Sequence, residues 1–252
     1  SSLPYFFLVA ETFAISLIFL LLFLKTLDPP AYKIASFELI DIPLIEYVAQ
    51  TGKPLIMSTG MANRDEIMDA VLAARRSGCQ ELCLLHCTSG YPTPPEEADL
   101  RTIPSLAQKY EVVSGLSDHT LGTTVAIAGV ALGACVIEKH FMLNREDGGP
   151  DAHFSIEPDE LERLVQETHI SWEALGRVRD KQKKSESTQR PLRRSLYAVA
   201  DIKEGEVFTD TNVRSIRPGY GLKPRYLPKL LGCKASKDIS RGTALRKEHF
   251  LD

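Results

Sequence analysis

The sequence predicts an α/β fold built on a parallel sheet, followed by a small β-rich domain. Three observations carry this reading. From Ala31 onward, short apolar runs alternate with helix-patterned stretches, the rhythm of successive βα units. Each apolar run ends in polar or small residues, as expected where strands deliver side chains to a shared ligand site. Near the C-terminus, Asp201-Ile202-x-x-Gly205 recurs as Asp238-Ile239-x-x-Gly242, and both copies lead to a matching pair, Asn212-Val213 or His249-Phe250. That offset, 201 to 238 or 37 residues, predicts a pseudo-symmetric unit of two similar halves.

The predicted strands are Ala31 to Ser36, Pro54 to Ser58, Glu81 to Cys87, Val112 to Ser117 and Cys135 to His140. Between the second and third lies a helix from Arg64 to Ser77. Asn63 and Glu66 form a capping-box pattern at its start, Ile67, Val71 and Ala74 give it an apolar face, and Gly78 closes it. A second amphipathic helix runs from after Glu157 to about Leu175. The stretch from Gly176 to Ser195 carries eight Lys or Arg against two acids with no apolar period, the signature of an exposed linker. The predicted divisions are thus 1–26, 27–175, 176–195 and 196–252. In the first of these, Tyr5 to Leu24 is apolar except for Glu11, Thr12 and Ser16. No Lys or Arg precedes Lys25, so the segment lacks the basic front of a secretory signal and reads more readily as a helix of a larger fold than as a membrane span.

The 252 residues are 44% hydrophobic and 25% charged, which excludes wholesale disorder, and the formal charge of −3 gives no global attraction to nucleic acid or an anionic membrane. Cys79, Cys83, Cys87, Cys135 and Cys233 are odd in number and lack paired spacing, so reduced thiols in a cytoplasm are expected.

His119 and His140 end adjacent predicted strands, each near an acid, Asp118 or Glu138. Neighbouring strand ends can bring two imidazoles to one cation, a Lewis acid suited to polarising a carbonyl; the alternative is two unrelated polar residues. His86, inside its strand, reads as a packed or hydrogen-bonded histidine. Lys33, Ser36, Ser58, Thr59, Ser89 and Ser117 supply a cation and hydroxyls fit to cradle a phosphate. The loop after the His140 strand is expected to place Asp151 near a substrate hydroxyl or the metal; the alternative is a solvated loop acid. Arg217 is either a surface charge or a finger toward a sugar in another active site.

Taken jointly, Tyr32-Lys33-Ile34-Ala35-Ser36, Ser58-Thr59-Gly60-Met61, His86-Cys87-Thr88-Ser89 with Tyr91-Pro92, Gly115-Leu116-Ser117-Asp118-His119, Glu138-Lys139-His140-Phe141 and Arg217-Pro218-Gly219 resemble the sialic acid synthase family. The resemblance covers about Leu27 to Asp252. It implies a TIM barrel, here partial, followed by a SAF (antifreeze-like) domain formed by the repeated Asp-Ile-x-x-Gly unit. Ala35-Ser36-Phe37-Glu38, Ser89 where neuraminate synthases often show Asn, Gly149-Pro150-Asp151 with Phe154-Ser155, and the run Ser215 to Leu222 look most like the pseudaminic acid branch, with the neuraminate and legionaminate branches next.

The resemblance further implies a transferase joining phosphoenolpyruvate to an amino sugar. His119 and His140 would bind a divalent cation, manganese or magnesium. Lys33, Ser36, Ser58 and Ser117 would hold phosphoenolpyruvate, Ser89, Tyr91 and Asp151 would face the sugar, and Arg217 would reach the neighbouring subunit's site in a domain-swapped homodimer. The family pattern has three earlier barrel strands, so the five predicted here correspond to the fourth to eighth, and the chain alone is expected to be weak or inactive. A reading of another class is a non-catalytic carbohydrate-binding module or a membrane-anchored remnant.

Overall fold

In the computed structural model the described residues are 26–181 and 183–251; apart from Thr26, the apolar N-terminal segment lies outside them. No described helix is long and apolar enough to cross a membrane. The chain divides into two compact units between Gly176 and Arg177.

The first unit is a curled, half-barrel sheet of five strands in the order β1 (Tyr32–Ile34), β2 (Leu55–Ser58), β3 (Leu82–Cys87), β4 (Val113–Asp118) and β5 (Ile137–Lys139). Every pairing is parallel, as the βα rhythm requires. The crossovers carry α1 (Ile42–Ala49), α2 (Arg64–Arg76), α3 (Thr102–Tyr110) and α4 (Thr124–Ala131), and α5 (Pro158–Leu175) follows β5.

Side-chain alternation along each strand sorts the residues to two faces. Tyr32, Ile34, Leu55, Met57, Leu82 and Leu84 pack with the apolar faces of α1 and α2 in one core, and Leu116 and Ile137 pack with α4 and α5 residues in a second. The alternate positions Ile56, Cys83, Leu85 and Val136 form a small cluster on the other face. Lys33, Ser58, Ser117 and Glu138 share the parity of that inner cluster, so the strand ends bring them to one place.

The predicted capping box exists. Asn63 Oδ1 accepts from the amides of Asp65 and Glu66 at 2.8 and 3.1 Å, and Glu66 Oε2 accepts from the Asn63 amide at 2.7 Å. At α5 Glu160 Oε2 accepts from the Glu157 amide at 3.0 Å, with Pro158 at the first position of the helix. Between His140 and that helix, Arg145 donates to Glu160 at 2.6 Å and pairs with Glu157 at 3.1 Å, tying the loop after β5 to α5.

In the second unit, residues 184–186 and 190–192 form single 3-10 turns within a largely exposed stretch. Ser195 belongs to β6 (Ser195–Ala198) and not to the linker: it is buried, donates to Pro218 O at 2.7 Å and accepts from Gly221 N at 2.9 Å. Strand β6 pairs antiparallel with β7 (Val213–Ile216), and β8 (Lys234–Ala235) with β9 (Phe250–Leu251). The repeat is realised as a pseudo-dyad. Ile202 and Ile239 exchange both backbone hydrogen bonds at 2.8 Å. Asp201 accepts from the amide of Arg241 at 2.7 Å while Asp238 accepts from that of Glu204 at 2.9 Å, so each copy's aspartate caps the other copy's turn. Gly205 and Gly242, both at positive φ, donate to Ala235 O and Ala198 O respectively. Asn212 Oδ1 and His249 Nδ1 accept from Thr209 N and Arg246 N, the same contact in each half.

Candidate active site

Glu138 is the centre of the polar cradle on the inner face. Its register partner Ser117 donates to Oε1 at 2.6 Å, and Ser58, two strands further along the sheet from β4, donates to the same oxygen at 3.4 Å. Lys33 Nζ lies 3.4 Å from Oε2, an oxygen that accepts no hydrogen bond among the described residues. Burial of this carboxylate is tolerable because a cation and two hydroxyls compensate it. Four elements, β1, β2, β4 and β5, thus deliver one side chain each to a single point. The sequence marked Glu138 only as an acid near His140; its parity with His140 and its pairing with Ser117 are the signals that place it in the cradle.

Beside the cradle, Gly60 lets the β2 loop approach closely. Its amide donates to Ser36 Oγ at 3.1 Å, and a Cβ there would stand 2.3 Å from Ser89 Oγ and 2.7 Å from Ser36 Oγ. Thr59 instead donates to Leu85 O at 3.1 Å, a structural bond that commits its hydroxyl to β3. Cys87 joins the two groups, with Sγ 3.8 Å from both Ser89 Oγ and His119 Nδ1. Burial pushes this thiol up, but hydrogen bonding to His119 and Ser36 outweighs it and holds the thiol below its ordinary range.

His119 and His140 follow the ends of β4 and β5, and their ring centroids are 5.2 Å apart. Tyr91 packs on both, at 4.5 Å from His119 and 6.0 Å from His140, and Phe154 lies 4.8 Å from His140. His119 Nδ1 is 3.1 Å from Thr88 O, which fixes the Nδ1–H tautomer, and His140 Nδ1 is 3.6 Å from Asp151 Oδ2. Asp151 therefore stands as the carboxylate partner of His140. His86 projects from the other face of β3, with Nε2 2.8 Å from Ala98 O, the hydrogen-bonded packing role expected of it. Arg217 follows β7 in the second unit.

The two imidazoles suit one divalent ion. Their centroids are 5.2 Å apart, close enough for both rings to reach one ion. With His119 Nδ1 bonded to a carbonyl and His140 Nδ1 facing a carboxylate, Nε2 is the nitrogen that a metal would use on each ring. No group of three or more His, Cys, Asp or Glu side chains able to hold a metal occurs among the described residues.

A parallel α/β sheet with ionisable residues gathered at its strand ends, joined to a small pseudo-symmetric β unit, defines the class. The chain belongs to the NeuB family, whose profile matches residues 18–180, and a SAF domain profile matches residues 193–251. It is 43% identical over 228 residues to the pseudaminic acid synthase of Campylobacter jejuni, covering 90% of this chain and 66% of that enzyme. It is 38% identical to the N,N'-diacetyllegionaminic acid synthase of the same species, covering 89% and 68%. The crystal structure of the spore coat polysaccharide biosynthesis protein SpsE of Bacillus subtilis superposes with a TM-score of 0.58 at 34% identity, covering 91% of this chain and 70% of that one. The chain spans about two thirds of the length of these relatives.

Proposed function

We propose that the chain carries the phosphoenolpyruvate-condensing site of a nonulosonic acid synthase, with 2,4-diacetamido-2,4,6-trideoxy-L-altrose as the sugar and pseudaminate and phosphate as products. The observation that carries this is the apposition of the His119–His140 pair, 5.2 Å apart, with the cradle of Lys33, Ser58 and Ser117 around Glu138. The pseudaminic choice over the legionaminic one is supported by the higher identity, 43% against 38%, and Ser89 supports it over the neuraminate one.

In this reading Lys33, Ser36, Ser58 and Ser117 bind the phosphoryl and carboxylate oxygens of phosphoenolpyruvate. Glu138 holds Lys33 and the two hydroxyls converged before the donor arrives, so little reorganisation remains for the transition state. Its carboxylate also favours positive charge developing at the former enol carbon. A bound manganese or magnesium ion, held by His119 and His140, would supply Lewis-acid polarisation of the sugar aldehyde. Tyr91 and Phe154 pack against the histidines, Asp151 keeps His140 oriented, and Ser89, Tyr91 and Asp151 face the sugar. The methylene carbon of the enol bonds to the aldehyde carbon, water adds at the resulting oxocarbenium centre, and phosphate departs with C–O cleavage. Arg217 serves the site of a second copy in a domain-swapped homodimer, and the reaction takes place in the cytoplasm.

The test is phosphate release from phosphoenolpyruvate with each candidate sugar. Release that needs the L-altrose derivative, faster by about tenfold or more than with N-acetylmannosamine, is expected. Equal or reversed preference overturns the sugar assignment. Turnover retained in both His119→Ala and His140→Ala overturns the metal role.

A further inference from the structure

Behind the histidine pair, on the opposite face of the sheet, lies a buried ion pair with no role in binding substrate. Asp118 and Lys139 are register partners at the last rung of the β4–β5 ladder, and each immediately precedes a histidine. Their side chains are 1% exposed and meet at 2.9 Å. Lys139 Nζ also donates to Thr120 O at 2.6 Å, and Thr120 N donates to Asp118 Oδ1 at 2.9 Å. These three bonds close a ring around residues 118–120, with His119 at its middle. The next backbone atom on the His119 side, its carbonyl oxygen, accepts from Thr93 N at 3.0 Å.

A fully buried lysine is a costly way to hold two strands together, since apolar residues of similar volume often do so as well or better. What the pair supplies, and apolar packing does not, is directional fixation of one turn from the neighbouring strand. We infer that Asp118 and Lys139 are positioning residues that set the separation and orientation of the His119 and His140 rings. This inference rests on the proposed reading of those rings as a metal site, and it deepens that reading by naming what holds the site in shape.

The experiment uses the full chain, the charge-free double variant Asp118→Asn/Lys139→Met, and Lys139→Arg, which keeps the charge but not the reach to both acceptors. Manganese binding is followed through the electron paramagnetic resonance signal of the free ion, and the ring nitrogens of the histidines by 15N NMR in the absence of metal. Manganese affinity is expected to fall about 10- to 100-fold in the double variant and by a smaller factor in Lys139→Arg, the loss usual when an outer-shell partner is removed. The His119 and His140 ring resonances are expected to shift in both. A folded double variant that binds manganese within about twofold of the parent overturns the inference; should the double variant not fold, parent-level affinity in Lys139→Arg does so. If the parent takes up no manganese that His119→Ala abolishes, the metal reading itself has failed. The NMR arm still decides the inference in that case, because unchanged ring resonances in the variants refute it without reference to any metal.

Discussion

Replacing Lys33 by methionine takes the cation from a carboxylate that is itself buried. At the observed separation of 3.4 Å the Lys33–Glu138 attraction is about 5 kcal/mol at an effective dielectric constant of 20. The hydroxyls of Ser117 and Ser58 stay behind on Oε1, so the net loss expected in Lys33→Met is about 3 kcal/mol, at the low end for breaking a buried pair. Glu138→Gln keeps an acceptor for the hydroxyls and is expected to cost less, about 1–2 kcal/mol. The double variant leaves no buried charge unpaired, so the two losses should fall short of additivity by about 1.5 kcal/mol or more. Urea unfolding followed by tryptophan fluorescence measures all four proteins. The chain has one tryptophan, Trp172 on α5, so the signal reports the first unit alone. Losses that add within about 0.5 kcal/mol would show that Lys33 and Glu138 do not support each other.

Two glycines separate steric cost from functional cost. At Gly115 a Cβ would stand 2.3 Å from the Val136 carbonyl oxygen, a backbone atom within the sheet, so Gly115→Ala should lose about 3 kcal/mol in the same urea assay. At Gly60 the obstacles are the Ser89 and Ser36 hydroxyls, which can turn away, so Gly60→Ala should lose only about 1 kcal/mol while displacing both from the site and lowering phosphate release; a larger loss at Gly60 than at Gly115 contradicts this. Burial pushes the Cys83 thiol up to about 12, against about 8.5 for an unfolded chain. Between those values only the unfolded state ionises, so stability should fall with rising pH by about 1.4 kcal/mol per unit; Cys83→Ala should lose that slope between about pH 9 and 11, and parallel curves would refute it.

The half-barrel was legible because each of its strands is a buried apolar run punctuated by polar ends, and α2 because Asn63 and Glu66 fix its start by local hydrogen bonds alone. Strand ends were less so: the predicted Cys135 to His140 run contracts to Ile137–Lys139, although Cys135 N and Val136 O still bond to Ser114 and Leu116 of β4, and His140 O turns to a new partner, Ile156 N. The two histidines stood out through residue type and adjacency. Glu138 did not, because a central acid is recognised by what converges on it, and Lys33, Ser58 and Ser117 arrive from three other strands. The contact of Cys87 with His119 spans 32 positions and carries no local signal. Lys139 reads in sequence as an ordinary charged residue beside a histidine, and its near-complete burial follows only from the tertiary fold.

The reciprocal capping between Asp201 and Arg241, and between Asp238 and Glu204, has a consequence for how the C-terminal unit tolerates cutting. A lone half would present an aspartate with nothing to receive and a turn with no acceptor, and the one molecule able to answer both is another lone half in two-fold apposition. Joining the halves in tandem turns an encounter that depends on concentration into one that does not. Cleavage midway along this stretch should therefore leave neither fragment folded by itself, while mixing the two fragments should bring the fold back.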